Sequence, residues 1–288
     1  MREVHRKRAI RKEGGTPAFI SSERAKTPRS YLDNIEEQPE RGSIRVYFQN
    51  INTIKIGGEA IEDIEALKKL AAVGASIIGL SEVNKNMEDG ETKKAVEEVI
   101  RKEKPGMTMC AGGNTFYRTT EVRNQGGVAM ITRQCVDKYI LKRKVDLKGR
   151  WAVVDMRIGD DRLSVYNVYV PLKDDRGGPT TVRRQLQNAL DEEGIDEDLI
   201  DNLYKEMSEE ISEDIEEGKN VIVGGDFNET CEEDGLMSKT MEKIGLVNYF
   251  KRRMGVVPPI RRPGKRAIDH VWVTPGAFSA VNRAGIVG

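Results

Sequence analysis

The sequence predicts a mixed α/β (α+β) domain over residues 43–288, with much antiparallel sheet, and three observations predict it. Short segments rich in β-branched and aromatic residues recur along the chain. The first two flank a helical stretch, and a strand–helix–strand unit sets its strands side by side and parallel. Farther on, two strand-like segments are joined only by Gly159-Asp160-Asp161, a hairpin turn.

Each element has its own signal. Ile44–Ile51 alternates apolar and polar residues and predicts a strand. Ile61, Ile64, Leu67, Leu70 and Val73 mark one face of a helix over 59–73, which Gly74 ends. ASIIGL at 75–80 is a short apolar strand, and a helix over about 91–104 stops at Pro105. MTMCA, GVAMIT, WAVVDMRI and LSVYNVYV are β segments. A helical region over roughly 180–217 follows. In its acidic part, 191–217, Ile195, Leu199, Leu203, Met207, Ile211 and Ile215 recur every four residues and form one apolar stripe. Its acidic face would repel a nucleic acid, so this helix should lie away from one. NVIVGG is a strand, 236–244 a short helix, and AIDHVWV a last strand.

Composition excludes several classes. Apolar residues (AVILMFWYC) make up 38 % of the chain, enough for a sizeable core, so it is neither collagen-like nor wholly disordered. No apolar run approaches the roughly 20 residues of a membrane span, and no apolar segment follows the basic N-terminus as a secretory signal requires. The expectation is an intracellular protein, with no membrane partner. Cys110, Cys135 and Cys231 are scattered without a CxxC pair, against a zinc cluster or disulfide framework. With only His5 and His270, a histidine-rich metal site is excluded.

Charge balances globally, 47 basic against 47 acidic residues, so local segments carry the information. Residues 1–42 hold Arg2, Arg6, Lys7, Arg8, Arg11 and Lys12 with little apolar periodicity, and are expected to be a disordered leader. Its basic run reads either as a nuclear-localisation or nucleic-acid-binding tail, or as a plain solvated leader. Residues 251–266 hold Lys251, Arg252, Arg253, Arg261, Arg262, Lys265 and Arg266 without a carboxylate, and Pro258, Pro259 and Pro263 predict a loop. That loop either grips phosphates or serves solubility.

Polar residues gather where strands end. Asn50 and Asn52 are two apart, as are Asn167 and Tyr169, and Asp226 and Asn228, so strand alternation would put each pair on one face. Glu82 lies just past an apolar strand, and Asp269 sits within one. A buried carboxylate needs a partner or a cation. Gly224 and Gly225 allow something to approach the backbone closely. Oxygen ligands without thiolates or paired imidazoles suit a hard cation, Mg²⁺ or Mn²⁺.

The series QNIN, LSEVN, YNVYVP, GGDFN and IDHVWV resembles, in order over 43–288, the endonuclease/exonuclease/phosphatase superfamily. It looks nearest to endonucleases of non-LTR retrotransposons and related apurinic/apyrimidinic endonucleases. GGVAM at 126–130 and RRQ at 183–185 fit the same frame. The resemblance implies a DNase I-like four-layer sandwich: two mixed sheets face to face, flanked by helices, with a metal at one end. Glu82 and Asn52 match the metal-holding positions. Tyr169, Asn50 and Asn228 match phosphate-contacting positions, with Asp226 beside the water nucleophile. Asp269 matches the Asp that holds a catalytic histidine. The implied activity is Mg²⁺-dependent nicking of DNA, with a phosphatase of the same fold or an inactive nucleic-acid-binding remnant as rivals. No protein partner or oligomeric state is indicated.

Two departures stand out. Leu172 occupies the place where such endonucleases often have Asn. No Ser-Asp-His motif follows AIDHVWV, so the chain is expected to be cut just before it, although His270 beside Asp269 could imitate it. Strand alternation turns His270 away from the face that Asp269 shows.

Overall fold

Period-two patterns assemble two sheets. The computed structural model describes residues 42–53, 74–85, 87, 89–103, 106–112, 125–173, 181–232, 234–258, 267–282 and 284. The first sheet holds β1 (Val46–Asn50), β2 (Ile77–Ser81), β3 (Met107–Gly112) and β4 (Val128–Arg133), in the order β1-β2-β4-β3. β1 and β2 are parallel, as the strand–helix–strand pattern predicts. The helix expected at 59–73, like nearly all of the 1–42 leader, lies outside the described residues. Between β2 and β3 runs α1 (Gly90–Glu103).

The second sheet begins after a single helical turn, α2 (Gln134–Asp137). It contains β5 (Ile140–Val145), β6 (Trp151–Ile158), β7 (Asp161–Tyr169), β8 (Asn220–Asp226), β9 (Val247–Asn248) and β10 (Asp269–Val273), in the order β5-β6-β7-β8-β10-β9. β6 and β7 form the expected hairpin. β7 and β8 are parallel. Two helices, α3 (Val182–Glu192) and α4 (Leu199–Glu216), make that crossover.

Alternation then distributes the core. On β2, Ile77 points between the sheets, against Val128, Ala152, Val154, Met156, Val165 and Ile222. Its neighbours Ile78 and Leu80 point outward, against Met109, Ala129 and Ile131. On the far side, Trp151, Val153, Tyr166, Val221 and Val223 meet the buried faces of α3, α4 and α5 (Leu236–Lys243). The result is the expected pair of mixed sheets, packed face to face and flanked by helices. Among the described residues, no helix is long and apolar enough to cross a membrane.

Three details depart from expectation. The helical region at 180–217 is two helices, because Gly194 ends the first turn of the connection at φ +74°. Asp198 then restarts the helix, its carboxylate accepting the Ile200 N–H at 2.8 Å. Ile195 therefore precedes α4, and the buried stripe runs from Leu199 through Leu203, Met207 and Ile211. Second, Lys251, Arg252 and Arg253 are not in a loop. They form α6 (Tyr249–Met254), capped by Asn248, whose side chain accepts the Lys251 N–H at 3.1 Å. The remainder of that basic stretch, 259–266, lies outside the described residues. Third, the sequence pattern does not predict α2, β5, β9 or α7 (Pro275–Ala280). Lys142, Arg143 and Lys144 obscure β5, and charge on an edge strand discourages pairing with other chains.

Candidate active site

The registers bring the strand-end residues into one place. Tyr169 pairs with Asp226 across the parallel β7–β8 ladder, and Asp226 pairs with Asp269 across β8–β10. In the other sheet, Asn50 pairs with Ser81, one residue before Glu82. A hydrogen bond from Asn50 Nδ2 to Asp226 Oδ2, 2.7 Å, spans the two sheets. Asn50 Oδ1 accepts the Asn52 N–H at 2.9 Å. Asp226 Oδ1 accepts the Asn228 N–H at 3.0 Å, and Asn228 Nδ2 donates to the Val170 carbonyl at 2.8 Å. Beside them is a cleft of about 270 Å³, lined by Asn52, Glu82, Asn84, Tyr169, Leu172 and Arg183 among others.

Pleating explains only part of this arrangement. β1 ends at Asn50 and β8 at Asp226, so Asn52 and Asn228 are not carried by strand alternation. Both have left-handed backbones, φ +47° and +49°, and reach the site through turns. Among the described residues, five non-glycine residues have positive φ: Asn52, Thr53, Glu82, Asn84 and Asn228. All five belong to these strand-end loops. Such strain persists where surrounding contacts over-determine it, and it concentrates at functional sites. Asn84 and Arg183 fall within the LSEVN and RRQ stretches, but the sequence alone assigns no role at the site to them or to Thr53. Asn84 lies two residues beyond Glu82 and is of a type that tolerates the left-handed region.

Beneath the site the sheets touch closely. A Cβ on Gly224 would lie 2.2 Å from the Phe48 ring of the facing sheet, and within the second sheet one on Gly225 would lie 2.1 Å from the Val168 carbonyl oxygen of the neighbouring strand. Asn167, fully buried, donates to the Leu80 carbonyl at 2.9 Å and so ties β7 to β2.

Electrostatically the site is overloaded with acid. Burial raises the Asp226 carboxyl to about 6; hydrogen bonds from Asn50 and the Asn228 N–H oppose the rise, and the charge of Glu82 adds to it. Burial and then the Asp226 charge raise Asp269 to about 7. Tyr169 is pushed upward by burial first, then by the charge of Glu82 and its hydrogen bond to that carboxylate, so the phenol keeps its proton. Among the described residues, no Lys or Arg forms an ion pair with these three carboxylates. The nearby cations are engaged elsewhere, Arg183 with Asp198 at 2.6 Å and Lys173 with Glu229 at 3.2 Å.

This makes a stability prediction. An acid whose folded pKa is raised destabilises the fold as pH climbs from its unfolded value near 4 to its folded value, here about 7. Asp269→Asn should therefore stabilise the metal-free protein by about 1–3 kcal/mol above pH 7, and by nothing below about pH 4. Thermal melts in EDTA across that range check the difference, and an unchanged gap with pH would contradict it.

His270 is not part of this group. It is 1 % exposed, its Nε2 lies 2.7 Å from the Glu229 carbonyl oxygen, and its ring packs edge-on against Phe227. It pairs with Gly225, one step along β10 from Asp269, and so occupies the opposite face. Leu172 stands at the cleft, 59 % exposed.

Several solved structures share this architecture. An AP endonuclease, LMAP, from Leishmania major matches with a TM-score of 0.58 at 15% identity, over 82% of this chain and 80% of that one. A 3′-5′ exonuclease from Neisseria meningitidis matches with a TM-score of 0.52 at 14% identity, over 83% and 90%. A 3′ phosphatase from Neisseria bound to a product DNA hairpin matches with a TM-score of 0.50 at 13% identity, over 82% and 89%. At these identities the likeness is one of fold. No curated protein matches the chain. The profile of the Endonuclease/Exonuclease/phosphatase family, however, matches residues 62–287, a span that takes in Glu82, Tyr169, Asp226 and Asp269, and on that match the chain belongs to this family.

Proposed function

We propose that the chain is a Mg²⁺-dependent phosphodiester hydrolase that nicks DNA, an endonuclease of the retrotransposon type. The observation that carries this reading is the convergence of Asn50, Asn52, Glu82, Tyr169, Asp226, Asn228 and Asp269 on one end of the two sheets, with uncompensated carboxylates among them. Among the described residues the donor set fits a hard divalent cation: carboxylate and amide oxygens, no thiolate, and no imidazole facing the site. Among the described residues, no three His, Cys, Asp or Glu form a ready cage, so amide oxygens have to complete the set. Glu82 and Asn52 would hold Mg²⁺, or Mn²⁺. When bound, the ion polarises a phosphoryl oxygen and stabilises the oxygen that leaves.

The chain's own groups supply the rest. Asp226, held between Asn50 and the Asn228 N–H, orients a water and takes its proton. A carboxyl raised to about 6 is ionised at neutral pH yet basic enough for that transfer. The water oxygen bonds to phosphorus, the bond from phosphorus to a sugar oxygen breaks, the leaving oxygen takes up a proton from solvent, and the products are a phosphate end and a hydroxyl end. Asn228 offers the second hydrogen of its amide to the charge developing on phosphate, and Tyr169, whose one O–H is given to Glu82 in the free site, turns that hydrogen to the same charge when substrate is bound. Asp269 holds the place of a histidine partner, and no imidazole among the described residues reaches it.

A phosphatase of the same fold needs much the same groups, so the test is a substrate panel. With Mg²⁺, supercoiled plasmid should be nicked, while inositol phosphates and p-nitrophenyl phosphate should remain unhydrolysed. Turnover of the small esters without nicking would replace this reading with the phosphatase. Salt-dependent DNA binding without cleavage would replace it with a binding remnant.

A further inference from the structure

We propose that Asn84 is a positioning residue that sets the backbone of Glu82 for cation binding, an inference that rests on the metal reading of the site. β2 stops at Ser81, and the next three residues turn back across the site, with Glu82 at φ +55° and Asn84 at φ +51°. A left-handed Glu has no local reason to persist, so something outside its own dipeptide holds it.

Asn84 meets that need with both ends of its amide. Its Nδ2 donates to Thr53 Oγ1 at 2.9 Å, and its Oδ1 accepts the Gly126 N–H at 2.6 Å. The Thr53 N–H in turn donates to the Glu82 carbonyl at 2.7 Å. The Asn84 N–H donates to the Gly126 carbonyl at 2.7 Å. One side chain therefore locks three loops together: the loop after β1 that carries Asn52, the loop after β2 that carries Glu82, and the loop before β4. The third loop also backs the phosphate end of the site. A Cβ on Gly126 would lie 3.4 Å from the Tyr169 ring, and Tyr169 is hydrogen-bonded to Glu82. Asn84 itself lines the cleft. Its bonds all run to loop atoms that hold the acidic group in place, which is how groups behind a ligand fix that ligand's direction.

The test uses Mn²⁺ alone as probe, its free concentration read by electron paramagnetic resonance on the full chain. Asn84→Gly keeps the left-handed backbone at no steric cost and removes the clamp. It should bind Mn²⁺ about 10–100-fold more weakly, with a melting temperature within a few degrees of wild type. Thr53→Val cuts the same link from the other side and should weaken Mn²⁺ binding in the same direction, while Thr53→Ser, which keeps the acceptor hydroxyl, should restore it. If Asn84→Gly does not fold, the Thr53 pair decides by itself. Mn²⁺ affinity equal to wild type in folded Asn84→Gly, or in Thr53→Val, overturns the inference, as does a wild type that binds no Mn²⁺. A wild type that binds Mn²⁺ tightly but never nicks DNA removes the endonuclease reading and leaves the role of Asn84 standing.

Discussion

Glu82→Gln is expected to lower Mg²⁺-dependent plasmid nicking by about 10²–10³-fold or more, with the fold intact. Gln has the same reach, and its Oε1 still accepts the Tyr169 O–H, so the packing around the cleft has no reason to change. What disappears is a full negative charge from the centre of the cation site. The charge of Glu82 also helps to hold Asp226 up at about 6, so its removal lowers the Asp226 carboxyl. The variant should therefore melt no lower than wild type in EDTA, and the acid limb of its residual activity should move to lower pH. Extra Mg²⁺ should recover part of the rate, because a weakened ligand set is filled by mass action. Single-turnover nicking at several Mg²⁺ concentrations checks each point, and a loss of activity that follows a loss of folding would remove the argument.

Gly225→Ala is expected to cost at least about 3 kcal/mol, a large part of the stability of an ordinary domain. Gly225 has φ +137°, and its absent Cβ would meet the oxygen, nitrogen and carbon of Val168 at 2.1, 2.8 and 3.0 Å. All three atoms are backbone, and Val168 is the residue paired with Gly225 in the β7–β8 ladder. Relief requires opening that ladder next to Asp226. A melting temperature lower by roughly 6–12 °C is the expected result for a chain of this size. The three atoms nearest to a Cβ on Gly224 all belong to the ring of Phe48, a side chain that can be shortened. Phe48→Leu should therefore rescue Gly224→Ala and leave Gly225→Ala unrescued. Thermal denaturation of the two double variants checks this contrast.

How much of this was readable beforehand follows from where each signal comes from. β2 and β8, and β7 from Leu163 onward, are buried on both faces, so apolar residues dominate them and they stand out in the sequence. The strand ends stand out for the same reason, since Glu82, Tyr169, Asp226 and Asp269 are polar residues attached to apolar strands. β5 is an edge strand whose three consecutive basic residues hide its period. The break between α3 and α4 depends on Gly194 and Asp198, which a four-residue apolar spacing passes over. Asn52 and Asn228 were named for a pleat that does not reach them; turns at positive φ bring them in. Thr53 and Asn84 enter through loops whose course is decided by long-range hydrogen bonds, such as that from Asn84 to Thr53, and a spacing rule carries no trace of those, while Arg183 reaches the cleft from the first turn of α3.

The most direct test of the central claim is the conversion of supercoiled to nicked plasmid by wild type, titrated with Mg²⁺ and then quenched with EDTA, beside Glu82→Gln. Nicking that rises with Mg²⁺, stops with EDTA and all but vanishes in the variant is the predicted result. Plasmid that stays supercoiled throughout the titration with folded wild-type protein, or nicking that Glu82→Gln retains in full, would contradict it.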